Sequence, residues 1–137
     1  PHCMFSPGER FFTMCTSTMV EYRGQRYVMG SGGSSRIRSV LLHGIVYLID
    51  ELLGLKSDLK TIARAPRCHW EGGQLRVELK GRPASVFDEL KSTWGDTLIP
   101  FQDENLYFGG LHMSACGAHG LLGAGDPRRS GHYSICR

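Results

Sequence analysis

Tyr27 to Val40 read YVMGSGGSSRIRSV, and the reading of this stretch decides the fold. A β-prone run ends in three glycines and three serines, Gly30 to Ser35, and passes directly into an apolar helix. A turn of that composition presents backbone N–H groups at a helix N-terminus, where negative charge is stabilised. A phosphate, a carboxylate or the oxyanion of a reaction intermediate fits the description, and each implies a different protein.

Working outward on the N-terminal side, Thr16 to Met29 predict a β-hairpin, with Arg23-Gly24 as its turn. On the C-terminal side the spacing of Ile37, Val40, Leu41, Gly44, Ile45, Leu48 and Leu52 predicts a helix from about Arg36 to Leu53. Leu42, Val46, Ile49 and Leu53 widen its apolar face, so a long helix covered on two sides is expected, stopped at Gly54. Ser57 is placed to cap a short helix, Asp58 to Ala65, that Pro66 ends. RCHW and QLRVEL form a second hairpin about Gly72-Gly73, and Pro83 to Trp94 an amphipathic helix through Val86, Phe87, Leu90 and Trp94. Thr97 to Phe101, Leu106 to Ala115 and His119 to Ala124 read as short strands, with Leu106 and Phe108 alternating. The expected fold class is α+β: one domain, residues 1–137, with mostly antiparallel strands and a long buried helix.

Composition narrows the functions. With 137 residues, 41% of them hydrophobic, the chain can bury a real core. Its longest apolar run, Val40 to Leu55, is broken by His43, Asp50 and Glu51, too short and too charged for a membrane span. The net charge of +3 is spread over scattered basic residues, which argues against nucleic acid as a partner. Five cysteines, far apart and odd in number, read as reduced, mostly buried thiols rather than a disulfide scaffold. Cys116-Gly-Ala-His119 has the spacing of a metal half-site, but a second ligand pair such as Cys68-His69 would have to be supplied by the fold. No metal or cofactor is therefore assigned. His43, His69 and Trp70 are expected to pack or hydrogen-bond, and Asp126, Arg128 and Arg129 to form a structural ion pair and turn.

Three chemistries compete for the glycine turn. A dinucleotide site has its G-x-G, and Asp50 stands twenty residues after Gly30. That aspartate falls inside the helix, however, and no βαβ unit follows. A P-loop requires a lysine that this turn lacks. An oxyanion hole remains, since glycine tolerates unusual backbone angles and lets a substrate approach closely. Against it stands a plain hairpin-to-helix turn capped by Ser34 or Ser35.

Flanking motifs enlarge this picture. PGERFFTMCTSTMV, Pro7 to Val20, is similar to P-G-x-R-P-L-S-S-M-S-P-T-I-V, and GSGGSSRI, Gly30 to Ile37, to G-S-P-G-G-S-R-I. APRCHW, Ala65 to Trp70, is similar to A-P-R-x-H-x-x-W and is followed by LRVE, Leu75 to Glu78. FGGLHM, Phe108 to Met113, is similar to F-G-G-x-x-x, and GAGDPRRSG, Gly123 to Gly131, to G-A-S-D-P-R-x-x-G. In this order and spacing the motifs resemble the C-terminal part of the small subunit of the gamma-glutamyltranspeptidases, from about Phe5 to Gly131.

The resemblance implies a partial N-terminal nucleophile hydrolase domain, an αββα sandwich. It also implies a self-cleaved precursor whose freed N-terminal threonine is nucleophile and, through its amine, base. The acyl donor would be a gamma-glutamyl amide of glutathione type, with water, an amino acid or a peptide as acceptor. Gly33 and Ser34 occupy the positions of the paired glycines whose amides form the oxyanion hole. Thr13 and Met14 occupy those of the two serines that hold the substrate's α-carboxylate, and Met14 has no donor to offer. Losing one donor to a charged group removes about 1.5–3 kcal/mol. A related acylase with another acyl substrate is therefore the alternative, and an inactive homologue serving as structural or binding partner is the third reading. The implied partners are the large subunit and the N-terminal part of the small subunit. Thr13, Thr16 and Thr18 are internal here, and the resemblance places the nucleophile ahead of this segment. The family is often periplasmic, secreted or cell-surface, whereas the cysteines favour a reducing compartment; the sequence leaves the compartment open.

Overall fold

The structure, a computed structural model, describes residues 6–10, 13–55, 58–117 and 120–135. Strands β1 (Ser17–Tyr22) and β2 (Gln25–Gly32) form the expected hairpin, its turn carrying positive φ at Arg23 and Gly24. Helices α1 (Ile37–Asp50) and α2 (Leu59–Arg64) follow, then strands β3 (Cys68–Glu71) and β4 (Gln74–Glu78), helix α3 (Ala84–Trp94) and strand β5 (Leu98–Phe101). Strands β6 (Gly110–Gly117) and β7 (Gly120–Ala124) complete the order.

The strands build two sheets. The larger runs β1-β2-β6-β7 and is antiparallel throughout, with Met29 opposite Met113 and Gly32 opposite Gly110. The smaller runs β3-β4-β5, and its β4–β5 pair is parallel because α3 carries the chain back across the sheet between them. On the larger sheet α1 and α2 bury Met29, Ile37, Val40, Leu41, Leu48, Leu59, Ile62, Leu111 and Met113. Gly44 sets the spacing of this packing. A Cβ there would stand 3.0 Å from Leu111 Cδ2 and 3.2 Å from Met29 Sδ, so the helix lies on the sheet without a side chain between.

Several expectations are corrected. The face of α1 bearing Leu42, Val46, Ile49 and Leu53 is exposed, so among the described residues the helix is covered on one side only. The helix ends at Asp50, and a π-turn over Glu51–Leu55 carries it to Gly54, at φ 91°. Ser57 lies outside the described residues; the cap of α2 is Asp58, whose side chain accepts from Thr61 N at 2.7 Å. Leu106–Phe108 is a 3₁₀ turn, not a strand, because the Asn105 side chain caps it by accepting from Tyr107 N at 2.9 Å. It leaves Leu106 exposed and buries Phe108. Cys15 and Cys116 are exposed thiols, and only Cys68 of the described cysteines is partly buried. Trp70 is half exposed and packs against Trp94, ring centroids 5.4 Å apart.

Candidate active site

The glycine-serine run splits between two elements. Gly30, Ser31 and Gly32 extend β2, pairing with His112, Leu111 and Gly110 of β6, so the turn proper begins only at Gly33. Gly33 has φ 146°, and Ser34 opens a short 3₁₀ turn, Ser34–Arg36, that leads into α1. Neither serine caps this end by its side chain. The first amide to bond back within the turn is Arg36 N, to Gly33 O at 3.2 Å. The N–H groups of Gly33 and Ser34 thus precede the helical ladder, at the end that favours negative charge.

Ser34 adopts φ 56°, a left-handed conformation that is strained for a residue with a Cβ. The backbone just before it is closely packed. A Cβ on Gly33 would come within 3.1 Å of Gly109 Cα, and one on Gly109, at φ 73°, would run into Gly32 O. Gly109 is glycine because two chain segments cross without room for a side chain. Its role is hidden in the sequence, since it lies far along the chain from Gly33 and only the Gly109-Gly110 pair signals a close approach.

The segment before β1 comes to the same place. Ser34 Oγ donates to Met14 Sδ at 3.7 Å, joining two of the residues singled out by the sequence. Met14 is 49% exposed and presents a thioether where a hydroxyl was expected of the motif. Thr13 is also exposed, and its Oγ1 accepts from Cys15 N at 3.0 Å.

Behind the turn lies a carboxylate that sequence reasoning missed. Glu71, at the end of β3, stands 3.6 Å from Arg36 Nη1 and 3.8 Å from His69 Nε2, and accepts from Tyr107 Oη at 3.4 Å. A hydrogen bond from the Ser35 hydroxyl, more than any other contact, lowers its pKa. Arg36 also donates Nε to Tyr107 O at 3.2 Å and lies over the Tyr107 ring at 4.8 Å. His69 is 5% exposed, and its Nδ1 meets Ser39 Oγ at 2.7 Å. Burial depresses its pKa, so the neutral ring is favoured.

Deeper still is a neutral set of four buried charges, Arg67, Glu78, Asp126 and Arg128. Arg128 engages Glu78 as a fork, Nε to Oε1 at 2.8 Å and Nη2 to Oε2 at 2.6 Å. Asp126 accepts from Arg67 Nη2, from Leu111 N at 2.8 Å and from Arg128 N at 2.9 Å. Arg67 Nη1 donates to Gly109 O at 3.1 Å, which ties the cluster to the crossing beneath Gly33. Burial pulls the Arg67 pKa down. Burial also works against Arg128, but its bonds to Glu78 and then Asp126 outweigh it, and its pKa is raised. Asp126 and Arg128 thus take the structural role expected of them, and Asp126 also caps the Pro127–Arg129 turn.

The remaining flagged groups lie elsewhere. His43 Nε2 is 3.4 Å from Cys68 Sγ, two turns along α1 from Arg36, and its Nδ1 has no hydrogen-bond partner among the described residues. Ala118 and His119 of the metal half-site lie outside the described residues. Among the described residues no three His, Cys, Asp or Glu side chains gather as metal ligands, and no helix is long and apolar enough to cross a membrane.

The family profile and the solved structures point to the same family. The sequence profile of the family described as Gamma-glutamyltranspeptidase matches residues 2–136. The crystal structure of the Bacillus anthracis transpeptidase enzyme CapD is similar, with 26% identity and a TM-score of 0.73 over 95% of this chain and 75% of that one. Gamma-glutamyltranspeptidase from Pseudomonas nitroreducens, complexed with L-DON, is similar in fold, with 23% identity and a TM-score of 0.71 over 97% and 67%. No curated protein sequence matches.

Proposed function

The chain belongs to the gamma-glutamyltranspeptidase family, and we propose from that premise that it supplies the oxyanion hole and one wall of the acyl-donor pocket to a nucleophile carried elsewhere in the same protein. Its α+β fold is part of an N-terminal nucleophile hydrolase domain, and members of the family are multi-part enzymes processed from a precursor. In the proposed reaction an N-terminal threonine hydroxyl attacks the carbonyl of a gamma-glutamyl amide, its own amine taking the proton. The N–H groups of Gly33 and Ser34 receive the charge that develops on the carbonyl oxygen. Collapse of the intermediate expels the amine, which takes up the proton, and leaves an ester. Water or an amino acid then resolves it through the same hole. One such donor is worth about 10²–10³ in kcat. Thr13 and Met14 face the acyl group's far end.

The observation that carries this reading is the contact between Ser34 Oγ and Met14 Sδ, which brings the candidate hole and the candidate pocket together at the open end of the β1–β2 hairpin, where Ser17 pairs with Gly30. Exposed apolar side chains on α1 (Leu42, Val46, Ile49) and on the hairpin's outer face (Met19, Val28) support a further part of the protein as partner. The thioether of Met14 favours a second reading, a related acylase whose substrate lacks the α-carboxylate. Assay of the intact protein with gamma-glutamyl-p-nitroanilide beside other acyl anilides decides between them. Gamma-glutamyl turnover is expected; turnover of other anilides alone would replace the first reading with the second, and none at all would leave a binding role.

A further inference from the structure

Three pieces of chain meet behind the oxyanion turn, and one side chain touches all of them. The Glu71 carboxylate faces the Arg36 guanidinium at 3.6 Å, whose Nη1 also donates to Ser35 Oγ at 3.1 Å, and it accepts from Tyr107 Oη at 3.4 Å. Ser35 and Arg36 directly follow Ser34, the strained donor. Tyr107 directly precedes Phe108-Gly109, whose backbone is packed against Gly33. On its own strand, Glu71 follows His69, which bonds Ser39 one turn further along the α1 side. The carboxylate thereby contacts the two segments that flank the Gly33 and Ser34 amides, residues 35–36 through Arg36 and residues 107–109 through Tyr107. Its side chain is 43% exposed, so it is replaceable without opening the core.

We propose that Glu71 is a positioning residue for the oxyanion hole: through Ser35 and Arg36 it holds the Gly33-Ser34 backbone in its left-handed, donor-presenting conformation. The inference rests on the functional reading above. A hole that is set before substrate arrives stabilises developing charge without reorganising, and that advantage belongs to the transition state rather than to the bound substrate. Loss of the anchor should therefore lower kcat and leave KM in place. Because acylation and both routes of deacylation use one hole, they should slow together.

The test uses the intact, processed protein carrying Glu71→Ala or Glu71→Gln. Turnover is followed on gamma-glutamyl-p-nitroanilide, or on whichever acyl anilide the wild type cleaves, and amide hydrogen exchange is followed at residues 33–36. Glu71→Ala is expected to lower kcat at least tenfold, with KM within about twofold and an unchanged ratio of hydrolysis to transfer. Exchange at Arg36, whose N–H bonds back to Gly33 O, should rise while the rest of α1 keeps its protection. Glu71→Gln keeps an acceptor for Tyr107 Oη but loses the charge facing Arg36, and should recover part of the loss. A kcat within threefold of wild type, a rise in KM without a fall in kcat, or unchanged exchange at the Arg36 amide would each overturn the proposal. Wild-type protein that turns over no acyl anilide would remove the functional reading itself and this inference with it, an outcome visible before any variant is compared.

Discussion

Asp126→Ala tests the buried charge cluster most directly. Asp126 is 0% exposed and bonds two arginines and two backbone amides, Leu111 N and Arg128 N. Its removal leaves Arg67 and Arg128 to share the single carboxylate of Glu78, so a net positive charge stays buried. Breaking a buried pair in this way destabilises by about 3–5 kcal/mol. Each orphaned amide adds a desolvation penalty of about 1–3 kcal/mol where water cannot reach it. These contributions overlap, so a loss near the upper end, about 5 kcal/mol, is expected, against a total stability of about 5–15 kcal/mol. In urea, with a slope of about 2 kcal/mol/M, the unfolding midpoint of the purified protein should fall by about 2.5 M. Arg67→Met in the same background should restore the charge balance. The double variant is therefore expected to lose about 2–3 kcal/mol less than the sum of the two single losses. A midpoint shift under 0.5 M for Asp126→Ala, or strict additivity in the cycle, would refute the view of the four charges as one coupled unit.

Three further outcomes are expected. Gly109→Ala places a methyl group against Gly32 O at φ 73°. It should displace the Gly33 amide and cut kcat by about 10²–10³, the value of one oxyanion donor, read on the gamma-glutamyl anilide. Asp58→Ala removes the cap of α2, whose carboxylate pKa is lowered mainly by its bonds to Thr61, and should destabilise by about 1 kcal/mol in the same urea experiment. His43 and His69 both have pKa values lowered first by burial, so between their folded values and about 6.5 the unfolded chain binds more protons than the folded one. Stability from these histidines is present above about pH 6.5 and is lost as the pH falls below it, so the urea midpoint should drop as the pH falls below about 6.5, and less steeply in His43→Gln.

Much of this fold was legible in the chain because its signals are local. The hairpin turns at Arg23-Gly24 and Gly72-Gly73, the apolar period of α1 and the amphipathic α3 all report on residues within a few positions of one another. The errors arose where distant parts decide. Leu106 and Phe108 alternate like a strand, yet the Asn105 cap and the burial of Phe108 alone make a 3₁₀ turn. The widened apolar face of α1 reads as doubly buried, but nothing among the described residues covers Leu42 or Leu53. At the candidate site, Gly33, Ser34, Thr13 and Met14 stood out through the resemblance. The residues behind them did not, since a glutamate before a glycine turn looks like any solvated charge.

The sequence by itself determined most of the element types, the α+β class and the family. Turn chemistry, periodicity and ordered motifs are written in neighbouring residues, and each forms for its own local reason. Only the tertiary structure decided how the glycine-serine run is divided, half of it strand and half helix entry. That outcome depends on β6 pairing as far as Gly32 and on Gly109 leaving no space for a side chain at Gly33. It also decided that Arg67, Glu78, Asp126 and Arg128, from three separate motifs, share one buried site. Charges can be buried only where their partners arrive together, and chain topology, rather than spacing along the chain, brings them there.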